Sequence, residues 1–185
     1  QKGIDNANGG DTIYLANTAA DVVTSQINWS FFGSTTGSNT TNPLMIRGWD
    51  NGGSITIASP VATITGVGEI DATGQSFSPL FSGSSKPNDI IFHRIKFTGQ
   101  GSTGNTSVYV SCGNRWGFYE CEFVADRYGA YCLGGGTDNQ VVGCYFHSDG
   151  VSTTSQGITS FGVNNRTSNV AYCYFKDLTR CIQSV

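Results

Sequence analysis

Charge is scarce in this chain. Asp, Glu, Lys and Arg make up 12% of its 185 residues, and the formal net charge is −3. Ten Lys and Arg, spread along the sequence, do not form the basic cluster that a nucleic-acid groove or an anionic membrane surface requires. No apolar run is long enough to span a bilayer, and no secretory signal is visible. Sustained 3.6-residue periodicity is missing as well, which argues against a large helical domain. No CxxC pair occurs, and His93 and His147 bring no evident ligand set with them, so a zinc site is not indicated. Gly-x-Ser-x-Gly is absent, so no nucleophile elbow supports a Ser/His/Asp triad. No clustered Asp run points to Ca²⁺. The expectation is a protein with no cofactor and no metal.

What is abundant points one way. The chain has 11 Phe, 8 Tyr and 3 Trp, which sets it apart from disordered sequences of similarly low charge. Its 25 Gly, with many Ser, Thr and Asn, supply turns, and its Ile, Val and Thr supply strands. An all-β protein is expected.

A repeat lies in the second half. Residues 92–97 (FHRIKF), 118–123 (FYECEF), 141–146 (VVGCYF) and 170–175 (VAYCYF) share one pattern. Each reads apolar, two variable residues, Ile or Cys, one variable residue, Phe. The closing residues Phe97, Phe123, Phe146 and Phe175 are spaced by 26, 23 and 29 residues. Within a unit, Ile or Cys and Phe alternate with outward residues at period two, so they share a face. The two variable residues mark a bend between short strands. Variable spacing places insertions in a loop on one side. A unit of this size cannot bury its own apolar face and must stack on copies of itself. Stacking builds two inward columns, Phe97–Phe123–Phe146–Phe175 and Ile95–Cys121–Cys144–Cys173. Further strands are expected at 108–112, 130–133, 157–161 and 180–182, the first three leading into Gly113-Asn114, Gly134-Gly135-Gly136 and Asn164-Asn165. The first half follows the same logic less regularly, with strands at 11–16, 42–48 and 54–57 and an exposed loop over 33–42.

The expected architecture is therefore a single-stranded right-handed parallel β-helix with coils of roughly 23–29 residues. It forms one domain over 1–185, with irregular coils and a cap in 1–60 and regular coils in 88–185. The chain opens Gln1-Lys2-Gly3 without Met and closes in what reads as mid-strand, so a processed or partial chain is expected. The segments GGDTIYLAN (9–17) and NPLMIRGWDNGGSITI (42–57), followed by units ending in Phe, resemble the N-terminal part of pectate-lyase-like parallel β-helix proteins. The long Ser/Thr/Asn loop before NPLMIRG and the low charge are also similar to β-helical spike and decoration proteins of tailed-phage virions. That resemblance implies an extracellular or virion-surface setting, self-assembly or protein partners (a trimer among the options), and contact with surface glycans.

Candidate chemistry is thin. A polysaccharide lyase needs cations that neutralise a uronate and a base that takes the adjacent proton. Arg94 and Lys96 are the candidates, yet each is expected to face an acid one unit away, Glu120 and Glu122. Two outward ion pairs are the simpler reading. Glu69 and Asp71 would share a strand face, as a glycosidase pair might require. Asp126, Arg127 and Asp149 read as loop residues. The paired-Asp and Gly-His-Gly signatures of polygalacturonase-like enzymes are missing. No catalytic residue is assigned. Tyr145 and Tyr174 are the binding candidates, an outward aromatic pair that could stack on sugar or pack on a subunit. The six cysteines read as buried thiols, although stacked neighbours could also meet disulfide geometry. The leading function is a non-enzymatic structural or adhesive protein on a particle surface. The competitors are a polysaccharide-degrading enzyme and a carbohydrate-binding module.

Overall fold

Alternation of apolar and polar residues over three to six positions, broken by residues with left-handed backbone, builds this protein from short strands. The computed structural model describes residues 7–16, 21–22, 27–28, 41–49, 55–58, 61–64, 68–71, 81–82, 86–98, 108–125, 131–148, 156–159 and 168–183. Twenty strands and no helix occur among them.

Most strands fall into three parallel sheets whose spatial order follows chain order. The first contains Thr12–Ala16, Leu44–Trp49, Ile90–His93, Gly117–Tyr119, Gln140–Val142 and Asn169–Ala171. The second contains Asp21–Val22, Gly68–Asp71, Ile95–Thr98, Glu122–Ala125, Tyr145–Ser148 and Tyr174–Lys176. The third contains Val108–Ser111, Tyr131–Gly134, Gln156–Thr159 and Arg180–Gln183. From Ile90 onward the chain visits first, second and third sheet in turn, four times over. Strands of the 1–60 segment join the same first sheet, with Ile13 beside Ile46 and Ile46 beside Phe92. Ile55–Ala58 pairs antiparallel with Val61–Ile64, so the strand expected at 54–57 belongs to a local hairpin. Of the expected loop 33–42, only Thr41 and Asn42 are among the described residues, and Asn164, Asn165, Asp126, Arg127 and Asp149 lie outside them.

The bend between first and second sheets has a specific cause. Arg94, Glu120, Gly143 and Tyr172 stand three residues before their Phe, and all have positive φ, at 58°, 51°, 65° and 56°. One left-handed residue turns the chain sharply enough to pass to the next sheet. The amides of Arg94, Glu120 and Gly143 donate to Tyr119, Val142 and Ala171 carbonyls in the following repeat, so the corners stack as the strands do.

Inside, Phe97 pairs with Phe123, Phe123 with Phe146 and Phe146 with Phe175 in register. Their rings stack with centroids 5.0, 4.6 and 5.0 Å apart. Phe92 stacks on Phe118 at 5.1 Å, and Trp116 is fully buried beside them. Each buried ring contributes about 1.5–3 kcal/mol through its area, and stacked pairs add about 0.5–1.5 kcal/mol. The cysteine column forms as expected and all six thiols are free, but the expected burial is corrected at two of them, Cys173 being partly covered and Cys181 exposed. Cys121, Cys144 and Cys173 donate to Phe92, Phe118 and Val141 carbonyls at 3.5, 3.4 and 3.5 Å. Burial, together with the flanking Cys121 and Cys173 thiols, pushes the Cys144 thiol well above its ordinary pKa.

Candidate functional site

The second sheet carries most of the residues singled out from sequence. Lys96 lies in register between Glu69 and Glu122. Its ammonium sits 3.0 Å from Glu69, which also accepts the Thr98 hydroxyl. The expected Lys96–Glu122 pairing is thus corrected. Glu122 instead meets His147 Nε2 at 2.6 Å, on the opposite side of its row. Glu69 and Asp71 do share the outward face of their strand, but Glu69 is committed to Lys96 and Thr98. Arg94 approaches Glu120 at 3.9 Å, with His93 3.4 Å from the same oxygen.

Tyr145 and Tyr174 pair in register, with rings 5.5 Å apart and tilted by 33°. They do not form an open platform. Tyr145 is only 7% exposed, with His147 stacked on it at 4.3 Å and Tyr174 alongside. Burial, then the Glu122 carboxylate, raises the Tyr145 phenol above its ordinary pKa. The row pattern explains the crowding, because Tyr145 and His147 project from the same face of one strand.

A second cluster lies outside the apolar units of the repeat. Asp89, Arg115 and Asp138 stand eight residues before Phe97, Phe123 and Phe146, and all three have positive φ. Arg115 makes two hydrogen bonds to the buried Asp89 carboxylate, at 2.7 and 2.8 Å. That carboxylate raises the guanidinium pKa further. Buried Asn139 follows: its Oδ1 accepts the Trp116 amide at 2.7 Å, and its Nδ2 donates to the Gly135 carbonyl at 2.8 Å. The constant offset from Phe was the available signal, but it lies outside the apolar unit.

The outward face of the first sheet joins this cluster to His93. Outward residues form two columns, Met45–Ile91–Gly117–Gln140 and Arg47–His93–Tyr119–Val142. Gly117 leaves a gap in the first column, and the Tyr119 ring leans into it, reaching within 2.6 Å of where a Gly117 Cβ would stand. Gly143 leaves a second gap in the corner column. Two shallow depressions result. One, of 330 Å³, includes Pro43, Asp89, Arg115, Trp116, Asp138 and Gln140 in its lining. The other, of 420 Å³, includes Met45, His93, Glu120, Val142 and Gly143. Ile91 and Tyr119 line both, so the depressions are contiguous. Burial is the main cause of a lowered His93 pKa; Arg47 and Arg94 lower it further, and Glu120 opposes them.

Lys86 is half-buried at the edge of the third sheet, and its ammonium donates to the Ser111 hydroxyl. Burial lowers its pKa. Among the described residues no group of three or more His, Cys, Asp or Glu is arranged to hold a metal ion. No helix among them is long and apolar enough to cross a membrane. No protein family, curated protein or solved structure matches this chain.

Proposed function

We propose that the chain is a right-handed parallel β-helix that serves as a non-enzymatic structural and adhesive rod on a particle surface, such as a virion decoration or spike. The observation that carries this reading is the repeated passage through three parallel sheets with inward residues in register. A rod built this way is rigid, and its loops vary in length without disturbing the core. The outward ionisable residues are mostly engaged with one another, which suits a scaffold better than proton transfer. Assembly with copies of itself, a trimer included, and contact with surface glycans belong to the same proposal.

Mass photometry of the source-derived assembly, with peptide mapping of its components, tests the setting. Many copies of this chain in one large particle is the expected result. A free monomer that releases unsaturated product from pectate, alginate or chondroitin, with activity lost in Lys96→Ala, would replace the structural reading with a lyase.

A further inference from the structure

We infer that the outward face of the first sheet binds neutral oligosaccharide, with Tyr119 at the centre of the site. This deepens the adhesive reading and rests on it for biological setting, although binding itself requires no particle. Three observations lead to it.

First, the site has suitable size and lining. Two contiguous hollows of 330 and 420 Å³ share an apolar floor of Ile91 and the Tyr119 ring. Small-molecule sites combine such a floor with a few convergent polar groups. A pyranose offers the same combination in its own surface, with C–H groups on its faces and hydroxyls around its rim. Second, the polar groups stand at the ends of the groove. Asp138, Gln140 and Arg115 line one end, while His93 and Glu120 line the other. These groups supply both donors and acceptors, as hydroxyls require.

Third, the charges nearly cancel. At one end Arg115 faces Asp89 and Asp138, and at the other Arg94 approaches Glu120 with Arg47 near His93, so three acids stand against three guanidiniums. No excess of one sign remains to select a uronate or phosphate chain, or a polycation. Nor can an added peptide strand enter here. The floor strands Ile90–His93 and Gly117–Tyr119 are hydrogen-bonded to neighbours on both sides, leaving no free edge.

The hollows are shallow, so binding by one chain should be weak, in the millimolar range of about −4 kcal/mol. Many copies on a particle would raise the avidity without any new contact.

Saturation-transfer difference NMR on the full chain tests the inference with maltohexaose, cellohexaose and chitohexaose, and with hexagalacturonate as the acidic probe. The expected result is transfer to ring C–H protons of at least one neutral hexasaccharide, and none to hexagalacturonate. Tyr119→Ala should weaken that binding at least tenfold, and Gln140→Ala severalfold, whereas Tyr174→Ala on the second sheet should leave it unchanged. Thermal unfolding of each variant separates lost binding from lost fold, and Tyr119→Phe, which retains the ring, should retain most of the affinity. Absence of transfer from all three neutral probes to a folded protein would overturn the inference. So would preference for hexagalacturonate, or loss of binding in Tyr174→Ala but not in Tyr119→Ala. Capture of an apolar peptide at Tyr119 without any sugar signal would assign the groove to a protein partner instead. None of these outcomes bears on the particle test above.

Discussion

Phe123 and Phe146 lie face to face, 4.6 Å between ring centres and 2° from parallel. Their backbones are partners in the second sheet, so the ring separation nearly equals the strand spacing. Phe123 has a ring above and a ring below, and its side chain is 1% exposed. Phe123→Ala should therefore destabilise the protein by about 3–5 kcal/mol in urea unfolding. Phe175→Ala, at a partly buried position with one stacked ring, should cost clearly less. Equal losses at the two sites would contradict a stack whose middle is tighter than its end.

The stacked corners make an opposite pair of predictions. Tyr172 holds φ at 56° while its side chain is 87% exposed, so it bears the left-handed conformation without evident compensation from burial. Tyr172→Gly should raise stability by up to about 1 kcal/mol. Gly143 holds φ at 65°, and a Cβ there meets no atom closer than 3.7 Å. Gly143→Ala should cost about 1 kcal/mol through backbone conformation alone. Differential scanning calorimetry on the two variants would show Tm moving in opposite directions.

Acid should weaken the fold partly through His93. Its pKa is lowered from 6.5, chiefly by burial and then by Arg47, with Glu120 opposing. The unfolded chain therefore takes up this proton first as pH falls through about 6.5. The contribution of the neutral imidazole is full above that pH, declines below it, and levels off once the folded imidazole is also protonated. His93→Gln should flatten that part of the stability–pH curve below about pH 6.5. An unchanged slope in the variant would show that His93 does not carry it.

Thiol accessibility gives a direct count. Cys112, Cys121, Cys132 and Cys144 are buried, Cys173 is partly covered and Cys181 is exposed. Burial also pushes the Cys112 thiol far above its ordinary range, suppressing the reactive thiolate. In native buffer Ellman's reagent should modify Cys181 rapidly, with Cys173 slower and the other four protected. All six should react in denaturant. Rapid reaction of Cys121 or Cys144 in the native protein would contradict the packed column.

The repeat was readable because its causes are local. Alternation sets which side chains face inward, and a constant five-residue step from Phe92 to Phe97, or from Val141 to Phe146, sets the bend. Those rules identify Phe and Cys columns without knowledge of the sheets. Partner choice across rows is different. Lys96 has a neighbour on each side, Glu69 and Glu122, and side-chain reach decides between them. His147 engages Glu122, which no rule of spacing foretells. The burial of Tyr145 is hidden for a similar reason, since period two places its ring outward but does not reveal His147 lying against it. The Asp89–Arg115 pair and the groove at Tyr119 are not legible in the repeat, because its apolar pattern defines only the inward side of the first sheet. A glycine there, Gly117, defines a hollow by what it lacks.

The parallel ladders also give the molecule a direction of mechanical weakness. In all three sheets the backbone hydrogen bonds run from one repeat to the next. Tension applied between the first and last rows loads these bonds in series, and the row with the fewest supporting contacts gives way first. Ile13 and Leu15 at one end of the stack, and Val170, Cys173, Phe175 and Leu178 at the other, pack only partly against the core, so the outer rows go before the inner ones. Each row lost would free about 23–29 residues, roughly 80–100 Å of extended chain. The protein should thus lengthen in regular steps under load, each step a record of one repeat, with the rows joined by the Phe97, Phe123 and Phe146 rings the last to part.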